Sequence, residues 1–134
     1  MSDNIEKFMK DLPGFPMRGA FVKLFRAVGE GEVYPISFII QKDYGEGEIR
    51  IRGNGHGLEC IDSVRQALSL DEYGEILISD QWSGVDLKKF VGRNVVDYDV
   101  VESMGDVVSV IIRFGPGEIN ISSKDDELNV LVLL

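Results

Sequence analysis

The sequence predicts an α+β domain: a mostly antiparallel sheet of about seven or eight strands with an N-terminal helix and one central helix. Three observations carry this expectation. Two segments, residues 3–12 and 58–70, place apolar side chains at the 3.6-residue spacing of a helix. Most of the remainder consists of short runs rich in β-branched and aromatic residues. The separators between those runs are Gly-, Pro- and Asp-containing stretches of hairpin length, too short for a parallel crossover.

The elements follow in order. Ser2 or Asp3 caps the first helix, Glu6 favours its first turn, and Ile5, Phe8, Met9 and Leu12 form its apolar stripe. Pro13-Gly14 ends it, and Pro16 keeps the next residues extended. Residues 19–28 read as a strand, and Gly29-Glu30-Gly31 turns the chain into a second one over residues 33–42. After Asp43-Tyr44-Gly45-Glu46-Gly47, residues 48–52 alternate isoleucine with charge. Ile49 and Ile51 should therefore be buried, with Arg50 and Arg52 more exposed. The stripe Leu58, Ile61, Val64 or Arg65, and Leu68, supported by Ala67, predicts the central helix. Beyond it come a strand over residues 75–79, a helical turn over 86–91, and strands over 94–102, 107–114, 118–122 and 128–134. The last run is apolar on both faces, which predicts a central strand or one covered on both sides.

A chain of 134 residues, 44% apolar and 28% charged, suits a single domain over residues 1–134 with a full core. That composition excludes disorder, collagen and coiled coil for the whole chain. No run reaches the ~18 apolar residues of a membrane-spanning helix. Residues 1–12 are too charged for a secretory signal. The lone Cys60 excludes an intrachain disulfide and fits a reducing compartment, so a cytoplasmic location is expected. The net charge of −9 is unevenly spread: residues 1–52 are neutral, whereas residues 53–134 hold six basic and fifteen acidic side chains. Such a field disfavours direct nucleic-acid binding and attracts a basic partner, although acidity also serves solubility alone.

No cluster of residues spells out a reaction. Gly53-Asn54-Gly55-His56-Gly57 sits where phosphate loops occur, between a strand and an expected helix. Its G-x-G-x-G spacing lacks the dinucleotide signature, and a tight turn explains the glycines equally well. His56 and Cys60 are too few for a metal site, and a cysteine–histidine nucleophile pair lacks a legible orienting group. Asp97 and Asp99 share a strand face about 6–7 Å apart, as paired carboxylates or as a solvated face. The cluster Asp125-Asp126-Glu127 lacks the pattern of a Ca²⁺ loop. Catalytic residues, metal ligands and cofactors are accordingly expected to be none. Trp82, in a polar loop between Asp80 and Asp86, reads either as an interface anchor or as a lid folded back on the core. Asp80, Trp82 and Asp86 are the candidate partner-binding residues.

From Leu87 to Val132 the order of residues resembles small bacterial toxin-immunity proteins. The features are Leu87-x-x-Phe90-Val91-Gly92-x-x-Val95, an apolar strand ending at Phe114, a turn with Gly117, Ile119-x-Ile121, and a final apolar strand. The resemblance implies a β-rich frame that masks a cognate toxin without catalytic residues of its own. With the acidic half and the aromatic in its loop, the expectation is a non-enzymatic inhibitor of a basic protein partner. The alternatives are a structural or regulatory subunit acting through homo-oligomerisation, and a small ligand-binding enzyme using the Gly53–Gly57 loop.

Overall fold

Residues 3–29, 31–63 and 66–134 are described by a computed structural model, and among them lie twelve strands and one seven-residue α-helix. The fold is essentially all-β, which corrects the α+β expectation. Helix α1 (Asp3–Met9) leads into β1 (Gly19–Ala27), β2 (Tyr34–Lys42), β3 (Gly45–Ile51), β4 (Leu58–Asp62), β5 (Leu68–Ser69) and β6 (Gly74–Ser79). These six strands form one antiparallel sheet in the order β4-β3-β2-β1-β6-β5. A two-stranded ribbon, β7 (Gln81–Trp82) and β8 (Val85–Asp86), leads through a 3-10 helix (Leu87–Phe90) to a second sheet. That sheet is a meander of β9 (Asp97–Ser103), β10 (Asp106–Arg113), β11 (Glu118–Lys124) and β12 (Glu127–Leu133).

The expected central helix is absent. Residues 58–62 are a strand paired with β3, and residues 68–69 a short strand on the opposite edge; Val64 and Arg65 lie outside the described residues. The physical reason is that β3 presents an open edge, whose backbone groups β4 satisfies. Leu58 and Cys60 then face the core at a period of two, and Glu59 stands opposite Arg50, its carboxylate 2.9 Å from the guanidinium. Apolar residues at 58 and 61 suit either period, and strand pairing decides between them.

The N-terminal stripe behaves as expected: Ile5, Met9 and Leu12 are buried and Phe8 is packed against the same core, although the helix stops at Met9. Ile49 is fully buried beside an exposed Arg50, as the alternation requires, whereas Ile51 and Arg52 at the end of the strand are both half-buried. Between the sheets Val22, Phe38, Ile40 and Ile49 meet Val110, Ile112, Ile119 and Ile121 in one continuous core. Leu87 and Phe90 add to that core, the Phe90 ring lying 4.7 Å from that of Phe114.

Asp62 and Leu68, on the two edge strands of the larger sheet, are six residues apart, a reach of about 20 Å. Five strand spacings of a flat sheet span about 24 Å, so this sheet is curled. The face opposite Phe38 and Ile40 buries Ile39, Ser37 and Glu48. There the Lys23 Nζ donates to both Glu48 oxygens at 2.9 and 3.1 Å, and the Ser37 hydroxyl donates to Oε2 at 2.7 Å.

Strand β12 is an edge strand, not a central one. Leu128 and Val130 pack inward, whereas Leu131 and Leu133 point out from the uncovered face, 55% and 48% exposed.

Candidate partner-binding surface

Asp80, Trp82 and Asp86 meet in the ribbon and the turns beside it, but they serve different ends. The Trp82 ring is half-buried against the core, and its indole N–H donates to the Val130 carbonyl at 2.8 Å. Counted from the hairpin closure Lys124–Glu127, Val130 is a position whose backbone groups point away from β11. Trp82 therefore covers part of the otherwise open edge of β12, a protection that edge strands require. This geometry corresponds to the core-sealing reading of the residue.

The two carboxylates converge on Lys88, whose Nζ stands 3.9 Å from each. The Asp80 carbonyl accepts from the Leu87 N–H at 2.6 Å, and Asp86 Oδ1 accepts from the Lys88 N–H at 3.0 Å, capping the 3-10 helix. Both acids are thus fixed in place while their side chains stay about one third exposed, at 35% and 37%. Lys88 is the member of this group that sequence reasoning missed. An Asp two residues before it, at a helix start, was the available signal.

The other candidates separate. His56 is exposed in its loop, its backbone N–H bonded to Asn54 Oδ1, whereas Cys60 points from β4 into the core. Burial pushes the Cys60 thiol up to about 11, so it is neutral and unreactive near neutral pH. The glycine loop is the β3–β4 connection, closed by hydrogen bonds from Gly55 N to Arg52 O and from Arg52 N to Gly57 O. Gly57 has φ +78°, and a Cβ there would stand 2.8 Å from the Asp106 Cβ and 3.0 Å from the Val107 carbonyl. Glycine is required at that position because the loop touches the second sheet. Asp97 and Asp99 do share a face, and Arg113 on β10 binds both, at 3.0 and 2.5 Å. The two carboxylates hold the Arg113 proton more tightly, raising its pKa.

A cleft of about 730 Å³ lies between α1 and the β2–β4 edge, with Lys7, Lys10 and Lys42 facing Asp11, Glu46 and Asp62. Lys42 donates to the Phe8 carbonyl at 2.8 Å and to Asp11 at 2.9 Å, and that hydrogen bond holds the Asp11 carboxyl below its usual range. Mixed charge of this kind makes a well-anchored helix rather than a nucleophile with its base. Among the described residues no group of three or more His, Cys, Asp or Glu side chains is arranged to hold a metal. No described helix is long and apolar enough to cross a membrane.

The charge itself is localised. Residues 97–133, the second sheet and its turns, hold eight carboxylates against Arg113 and Lys124. Asp97, Asp99, Glu102, Asp125, Asp126 and Glu127 among them are exposed. Compared with protein-family models, with curated proteins and with solved structures, the chain matches none.

Proposed function

We propose that this chain is a non-enzymatic binding protein of the immunity or inhibitor type, which masks a basic protein partner such as a toxin. The observation that carries the reading is the concentration of exposed carboxylates on the second sheet. A one-sign surface raises the encounter rate with an oppositely charged partner and rejects like-charged ones. Asp80 and Asp86 lie on the β7–β8 ribbon and the turns beside it, where Lys88 stands 3.9 Å from both carboxylates. These ordered acids, about one third exposed, are rim charges in this reading and tune association more than dissociation.

The test begins with capture of partners from a native extract by the full chain, followed by association kinetics with the captured protein. A basic partner is expected, with an association rate that falls as salt rises from ~50 to ~500 mM, because screening shortens from roughly 14 to 4 Å. The Asp80→Asn/Asp86→Asn variant should associate more slowly with little change in dissociation. An acidic partner, or association indifferent to salt, refutes the reading. The exposed Leu131 and Leu133 on the open face of β12 favour a second reading, homo-oligomerisation. A concentration-dependent sedimentation coefficient abolished by Leu131→Ser/Leu133→Ser would select it.

A further inference from the structure

A groove of about 370 Å³ runs between the start of β2, the end of β3 and the tip of the β11–β12 hairpin. Ile36, Ile51 and Leu128 give it apolar walls, with Tyr34 on one side and Asp126 and Glu127 on the other. Resting on the masking function proposed above, we propose that this groove receives an arginine side chain of the basic partner.

The chemistry of the lining selects that occupant. An arginine has an apolar stem and a planar cationic head, and it gains most where the stem lies on hydrocarbon and the head meets carboxylates. The groove offers both within one small volume. Neither Asp126 nor Glu127 has an ion-pair partner among the described residues, and both side chains are exposed. A planar guanidinium can meet a carboxylate with two parallel N–H donors, which the point charge of a lysine cannot. The Tyr34 hydroxyl donates to Glu32 Oε2 at 3.2 Å, which brings a further negative charge beside that wall. Arg50, the cation in the lining, has its Nε on Glu59 at 2.9 Å, so it shares its charge with a carboxylate outside the groove.

Placement supports the same occupant. Leu128, in the groove, and Val130, which accepts the Trp82 hydrogen bond, are two residues apart on one strand. The groove and the ribbon bearing Asp80 and Asp86 thus both border β12, two residues apart along it.

The test uses the full chain and the capped peptide acetyl-Gly-Arg-Gly-amide, followed by amide NMR shifts. The expected result is saturable shifts at Ile36, Ile51 and Asp126–Leu128. The peptide with citrulline in place of arginine should bind at least tenfold more weakly. Asp126→Asn/Glu127→Gln should weaken the arginine peptide about fivefold, as loss of two exposed ion pairs predicts. This variant keeps the hairpin, because asparagine tolerates the left-handed backbone of Asp126 (φ 62°), and an unchanged melting temperature verifies it. Asp80→Asn/Asp86→Asn should leave peptide binding unchanged. Non-saturable shifts, equal binding of the citrulline peptide, or shifts clustered elsewhere overturn the groove assignment. If the peptide saturates the groove but the extract yields no basic partner, the masking function fails and the groove stands. If a basic partner binds Asp126→Asn/Glu127→Gln as it binds the parent, the groove fails and the masking function stands.

Discussion

Removing one member of the Lys23–Glu48 pair should destabilise the protein far more than removing both. The two side chains are only 12% and 4% exposed, on the sheet face turned away from the main core. At 2.9 Å and an effective dielectric constant of about 20 their attraction is about 6 kcal/mol. Desolvating two ions costs several kcal/mol each, so the intact pair contributes little net stability. Glu48→Ala leaves the ammonium buried beside Ser37 with no counter-charge and should cost about 3–5 kcal/mol. Glu48→Gln keeps an acceptor for Lys23 and Ser37 and should cost less. Lys23→Met/Glu48→Leu replaces both ions by hydrocarbon of similar volume among Phe21, Ile39 and Ile61, and should be neutral or stabilising by about 1–4 kcal/mol. Urea unfolding of the parent and these three variants, with slopes compared to verify two-state behaviour, reads these differences. The reasoning is refuted if Glu48→Ala costs under about 1 kcal/mol, or if the double variant is as unstable as the worse single one.

Three other perturbations test the fold at separate places. Gly57→Ala forces a side chain into a left-handed backbone and against β10 and should cost about 2–4 kcal/mol, whereas Gly53→Ala, with open space around its Cα, should change the melting temperature little. Trp82→Phe keeps most of the packing but strips the Val130 carbonyl of its donor, a loss of about 1–2 kcal/mol; a variant as stable as the parent would show that this hydrogen bond contributes nothing. The Cys60 thiol titrates near 11 when folded and near its ordinary 9.0 when unfolded, so above pH 9 the unfolded chain binds fewer protons. Stability should fall as pH rises from 9 to 11, by up to about 2 kcal/mol, an increment that Cys60→Ala should lack. The same thiol should react with a disulfide reagent at pH 8 only on the unfolding timescale.

What the sequence determined by itself was local. The Ile5–Leu12 stripe, the isoleucine–arginine alternation of β3 and the hairpin separators are each written in adjacent residues, and their elements form there, although α1 stops at Met9 and β3 begins at Gly45 inside an expected separator. The acidic surplus after residue 52 is likewise a sum over the chain, independent of fold. Tertiary structure decided the rest. Residues 58–62 follow the open edge of β3 instead of their helical spacing, because pairing there satisfies a whole row of backbone groups at once. Strand β12 is apolar on both faces yet lies at a sheet edge, where Trp82, 48 residues earlier, covers one of its carbonyls. Asp97 and Asp99 are a visible pair in the sequence, but their counter-ion comes from the neighbouring strand, 16 and 14 residues on. The groove is further still from local pattern, since β2, β3 and β12 each bring only part of its lining. Periodicity tells which face of an element is apolar, whereas partners across strands depend on register and on how two sheets pack, and those are set by the whole chain at once.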